Sequence, residues 1–183
     1  MGQSKQLLPL GNKPLIRHCL DTILESGIKD IVVVLSEERS AITDALTGYP
    51  IKRRFNSDPQ SDMAESVRIG LRATDELSSG CMICLSDHPM VSSKTMRTLI
   101  ELHAEDTRRI IIPVFRGKRG HPTLFPMPVI RGVFEGQTLR DIIRDNAGIV
   151  ENVAVEDKGI IIDIDTMEDY ESASKQVRFL PKE

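Results

Sequence analysis

The chain has 183 residues, 40% hydrophobic and 28% charged, with a net charge of −3. That is one globular domain's worth of chain and core, and the mild acidity gives no general nucleic-acid or membrane-surface character. No apolar run reaches the ~20 residues of a membrane span, and Met1 to Lys5 carries no signal-peptide apolar region. Three cysteines, Cys19, Cys81 and Cys84, make an odd set that argues against a disulfide framework and for a reducing, cytoplasmic location.

Taken in order, residues 1–11 read as a loop or extended segment. Lys13-Pro14 opens a helix with proline near its first turn, and Leu15, Cys19, Ile23 and Leu24 form its apolar stripe. Gly27 is placed to end it. Residues 31–35, Ile-Val-Val-Val-Leu, form a buried strand. A helix follows over 37–46, capped by Ser36 with Glu38 and Arg39 in its first turns, then a more polar strand over 51–55.

Residues 63–77 read as a helix with apolar positions at Val67, Leu71 and Leu77. The apolar run Cys81 to Leu85 is a strand that ends just before Asp87. Cys81 and Cys84 fall on opposite faces of it, which suits buried structural thiols better than a redox pair or a zinc site. Ser92 caps a helix to about His103. Residues 110–114 form a further buried strand, followed by the basic turn Arg116-Gly117-Lys118-Arg119-Gly120. The segment 121–125 lies between prolines and reads as an edge strand. A short helix at 139–144, strands at 150–155 and 160–164 joined as a hairpin, a closing helix over 166–177 and a frayed tail complete the chain. Strands alternating with helices imply an α/β fold, a mainly parallel sheet covered on both faces, with an antiparallel addition near the C-terminus.

The chemistry gathers on carboxylates at strand ends. Asp87 closes one strand; Asp163 and Asp165 close another, two residues apart and so on one side. Such hard oxygens suit Mg²⁺, which takes one or two carboxylates and completes its shell with water and phosphate. Helix capping is an equal alternative for the same residues. Lys5, Arg116, Lys118 and Arg119 add cations of the kind that neutralise a polyphosphate, although for any one of them a solvated loop is the simpler account. His121, at the rigid Gly120-His121-Pro122 turn, and Ser66, early in its helix, are candidates with equally ordinary structural readings.

Five motifs occur together in a familiar order. They are Met1-Gly2-Gln3-Ser4-Lys5-Gln6-Leu7-Leu8-Pro9-Leu10 with Lys13-Pro14-Leu15; Ser66-Val67 with Gly70-Leu71; Leu85-Ser86-Asp87-His88-Pro89; Arg119-Gly120-His121-Pro122; and Asp163-Ile164-Asp165-Thr166 with Glu168-Asp169. Over nearly its whole length the chain resembles the MobA-like nucleotidyltransferases, most closely the branch that cytidylylates molybdenum cofactor. The resemblance implies a Rossmann-like three-layer sandwich, residues 1–183 as a single domain, and CMP transfer from CTP to the phosphate of molybdopterin with release of pyrophosphate. It gives Lys5 to the triphosphate, Asp87 and Asp165 to Mg²⁺, Ser66 to the base, and Arg119, Gly120 and His121 to the pterin side.

Three departures qualify that resemblance. The family's first strand and Gly-rich loop precede the Met-Gly at which this chain starts, so a gap in the sheet and weak or no transfer by these residues alone are expected. Ser86 stands where glycine is usual. His88 stands where relatives carry glutamine or methionine. The competing readings are a guanylyltransferase of the same family using GTP, a non-catalytic module that binds molybdopterin or delivers it to a molybdoenzyme, and a sugar or isoprenoid-precursor cytidylyltransferase.

Overall fold

A computed structural model describes residues 4–36 and 40–178. The tail 179–183, the residues Met1 to Gln3, and the expected helix start at Glu38 and Arg39 lie outside them. Helix α1 (Leu15–Glu25) follows Pro14 and buries Ile16, Cys19, Leu20 and Ile23. It ends, as expected, at Gly27, whose φ of +93° is left-handed. Strand β3 (Val32–Ser36) pairs in parallel with β4 (Lys52–Asn56), while β1 (Pro9–Leu10) and β2 (Lys13–Pro14) form a small antiparallel clip. Helix α2 is Ser40–Ala45.

Helix α3 (Met63–Leu71) is shorter than its sequence pattern and is capped by Asp62, whose carboxylate accepts from the Glu65 amide. It leads to β5 (Gly80–Ile83), and α4 (Ser93–Glu105) is capped by Ser92 as expected. Strand β6 (Ile110–Phe115) turns through Arg116 and Gly117 into β7 (Lys118–Arg119). Both turn residues have positive φ, +48° and +80°, the geometry of a tight two-residue hairpin. Strand β8 (Thr123–Pro126), helices α5 (Met127–Ile130) and α6 (Leu139–Asp145), strand β9 (Val150–Ala154) and helix α7 (Met167–Arg178) follow.

The expected α/β class holds, but the sheet is mixed rather than mainly parallel. Its order is β5-β8-β6-β7, with β9 on β6. Only β9 pairs in parallel there; β8 runs antiparallel to both β5 and β6. The prolines that suggested an edge strand over 121–125 misled. Pairing between β8 and β6 is confined to Ile111 with Leu124, so the flanking prolines fall outside that ladder and β8 sits between two strands. The hairpin expected from 150–155 and 160–164 is also absent. Residues Lys158–Ile161 form a 3-10 turn, and Ile160 is fully buried beneath it.

Alternation along β6 places helices on both faces. Ile110 and Ile112 pack with Ile130 of α5 and Ile142 of α6, whereas Ile111 packs with Leu99 of α4. Cys81 and Cys84 likewise pack into different clusters, on opposite sides of the chain at β5. Burial raises the Cys81 thiol to about 11 and those of Cys19 and Cys84 to about 12, which makes them poor nucleophiles. Among the described residues no helix is long and apolar enough to cross a membrane.

Among the described residues the two sheets do not join: β3 pairs only with β4, and β5 only with β8. Between their free edges lies a largely apolar cavity of about 630 Å³, lined by Val32 to Val34, Gly80 to Ile83 and residues of α1 and α3.

Candidate active site

The site forms where three loops meet. A backbone bond from the Ile164 amide to the Asp87 carbonyl, 2.9 Å, holds the segment 163–165 against the loop after β5. The 3-10 turn Lys5–Leu7 packs alongside, and Gln6 Nε2 reaches Ser86 Oγ at 3.4 Å. The result brings Lys5, Asp87 and Asp165 together. Lys5 Nζ donates to Asp87 Oδ2 at 3.0 Å and to Asp165 Oδ1 at 2.6 Å.

Neither aspartate caps a helix. The start of α7 is capped by Thr166, whose hydroxyl accepts from the Asp169 amide while its own amide donates back to the Asp169 carboxylate. Asp165 is therefore free to face Lys5. Asp87 spends its other oxygen on His88, with Oδ1 to Nδ1 at 3.0 Å. That bond with His88, then those with Lys5, hold the Asp87 carboxyl well below the usual carboxylate range despite partial burial. For Lys5, burial pulls the pKa down, but the hydrogen bonds to Asp165 and Asp87 outweigh it and the net shift is upward.

These residues fit a divalent cation. Two carboxylate oxygens already converge on one positive group, the Lys5 ammonium. Among the described residues no cluster of three or more His, Cys, Asp or Glu could hold a metal ion. The protein would thus supply two hard ligands and leave the remaining positions to water and phosphate oxygens, as Mg²⁺ commonly accepts.

The other sequence candidates are distributed differently. His121 lies beside the site, its ring edge-on to His88 with centroids 5.1 Å apart. Burial, then the neighbouring His88, push its pKa down, and its Nδ1 is buried without a partner among the described residues. Gly120 has a packing role. A Cβ there would lie 2.2 Å from the Ile160 carbonyl oxygen, and the next amide, of His121, donates to that same oxygen at 2.8 Å. Arg119 is exposed on the β7 hairpin, where Nε bonds Asn152 Oδ1 at 2.7 Å. Ser66 accepts from Asn56 Nδ2 at 3.0 Å and lines the slot between the two sheets.

The role of His88, noted in the sequence only as a departure from relatives, and the residue Asp157 escaped the sequence reading. His88 orients Asp87, and its position next to the aspartate was the available signal. Asp157 had none. Its carboxylate accepts from Ser92, Thr95 and Gly159, pinning the turn under Ile160 to the start of α4.

The chain is similar to several known proteins. Residues 1–149 match the model of the MobA-like NTP transferase domain. The bifunctional protein GlmU of Clavibacter sepedonicus is 28% identical over 156 residues, covering 79% of this chain and 31% of its own length. The chain thus spans about a third of that relative. Nicotine blue oxidoreductase of Paenarthrobacter nicotinovorans is 24% identical over 179 residues, covering 90% of this chain and 84% of that protein. Among solved structures, Rv0371c of Mycobacterium tuberculosis superposes with a TM-score of 0.83 at 22% identity, over 96% of this chain and 90% of that one. Its complex with manganese gives 0.78 at 23% identity, over 95% and 93%. A CMP:2-keto-3-deoxy-manno-octonic acid synthetase complexed with CTP gives 0.76 at 14% identity, over 95% and 91%. At such identities these structures speak for the fold, and the family match covers most of the chain: the protein belongs to the MobA-like NTP transferase domain family.

Proposed function

We propose that the chain performs divalent-cation-dependent nucleotidyl transfer, moving CMP from CTP to the phosphate of molybdopterin cofactor with release of pyrophosphate. The observation that carries this reading is the convergence of Lys5, Asp87 and Asp165 at one point beside the His88–His121 pair. A cation held by the two aspartates would neutralise charge building on the triphosphate. Lys5 adds a second positive charge on the same phosphates. His88 holds the Asp87 carboxylate in place. An oxygen of the acceptor phosphate bonds to the α-phosphorus as the bond to the pyrophosphate oxygen breaks. That nucleophile is already anionic, so no general base is needed, and His121 serves as part of the acceptor's wall. Ser66 sits on the base side and Arg119 at the outer rim.

Support for CTP comes from the cytidylyl-type Gly120-His121-Pro122 turn and from the fold shared with a CTP-bound synthetase. The test is pyrophosphate release with each of CTP, GTP, ATP and UTP, with and without molybdopterin cofactor, at several millimolar Mg²⁺ or Mn²⁺. Cofactor-dependent release from CTP is expected, at the low rate anticipated from the sequence. Strict use of GTP moves the chain to the guanylyl branch. Cofactor binding with no nucleotide dependence replaces transfer by a carrier role. The nicotine blue oxidoreductase relative raises a redox reading, but the half-buried Cys81 and Cys84, whose thiols are pushed up to about 11 and about 12, lend no support to thiol-based redox chemistry.

A further inference from the structure

We propose that Lys5 gates the cation site: in the unliganded protein its ammonium occupies the point on which Asp87 and Asp165 converge, and a divalent cation gains both carboxylates only when a triphosphate draws Lys5 away. The inference rests on the reading of those aspartates as metal ligands. The two bonded oxygens lie 3.0 and 2.6 Å from the same nitrogen. A divalent cation held by Asp87 and Asp165 would need the volume the ammonium fills, and would meet a like charge at its edge.

The two sides of this contact are anchored unequally. Asp87 is fixed through His88 and through its carbonyl, which accepts from Ile164. Lys5 sits on a three-residue 3-10 turn that contains no buried residue. Its ion pairs are partly solvated, with side-chain exposures of 34% for Lys5, 23% for Asp87 and 59% for Asp165. Pairs of that kind are cheap to exchange. A triphosphate offers Lys5 a denser negative partner, and the vacated carboxylates then take the cation. Nucleotide and cation therefore reinforce one another's binding, and the coupling is reciprocal by necessity.

The experiment is Mn²⁺ binding by electron paramagnetic resonance, on the full chain, with and without a non-hydrolysable CTP analogue. Circular dichroism checks the fold of every variant. Without nucleotide, Lys5→Gln and Lys5→Met are expected to bind Mn²⁺ about tenfold more tightly than the parent, roughly 1.4 kcal/mol, while Lys5→Arg stays weak. The analogue tightens Mn²⁺ binding in the parent and much less in Lys5→Gln. Adding Asp87→Asn or Asp165→Asn to Lys5→Gln removes the gain. If Lys5→Gln and Lys5→Met bind no more tightly than the parent, yet Asp87→Asn still abolishes binding, the gate is wrong and the metal site stands. If Mn²⁺ binding ignores both aspartates, the metal-site reading fails and takes the gate with it.

Discussion

Asp87 is the carboxylate at the centre of the proposed site, and its surroundings set its pH behaviour. Its folded-state pKa is depressed, through His88 first and then Lys5. Its unfolded value is about 4. Its contribution to stability is therefore complete above about pH 4 and is lost as the pH falls from there toward its own lower value. Asp87→Asn should remove that acid-limb dependence, so parent and variant should approach equal stability in acid, as urea titrations across pH would show. In the transfer assay, Asp87→Asn and Asp165→Asn should each lower kcat by about 100-fold or more, the scale expected for removing an electrostatic stabiliser of the reacting phosphates. An Asp165→Asn variant with parental turnover would leave Asp165 only its ion pair with Lys5.

At the level of elements, the turns matter more than the helices. The Gly120 backbone presses on Ile160, and Ile160 is held by a turn that Asp157 ties to the start of α4. Gly120→Ala should thus cost roughly 2–4 kcal/mol, because the clash is with backbone and cannot be relieved by a side-chain shift. Denaturant unfolding measures it. A cost within 0.5 kcal/mol would mean that the Gly120–Ile160 approach is looser than described. The strand edges give a second test. Alternate amides of β3 and β5 point toward the slot rather than into a ladder. They should exchange with solvent about 100-fold faster than their ladder-bonded neighbours, and residue-resolved hydrogen exchange reads this directly.

For the molecule as a whole, the slot between β3 and β5 is the dominant feature. Strand spacing near 4.8 Å, layer spacing near 10 Å and a rise near 3.3 Å give roughly 160 Å³ per residue of sheet. The cavity of about 630 Å³ is then the size of about four strand residues. A strand-forming apolar peptide added in trans should fill it, raise the Tm and strengthen CTP binding. Each ~1 kcal/mol gained is worth roughly 2–4 °C in a chain of this length. An unchanged Tm and unchanged CTP affinity would show that the slot is not a strand position.

Most of the helices and strands and the caps at Ser92 and Gly27 were legible, and Lys5, Asp87 and Asp165 could be singled out as candidates, because these depend on local pattern and short motifs. Strand direction was not. It depends on which edges find each other, and the prolines around β8 disguised a strand that pairs on both sides. That Asp165 does not cap a helix also escaped local reasoning, since it turned on Thr166 taking the capping role. Sequence alone thus supplied the chemical groups and most of the elements that carry them. Only the tertiary structure decided that Lys5 lies between two aspartates that are 78 residues apart in the chain, because a single backbone bond from Ile164 to Asp87 joins loops that no local pattern connects.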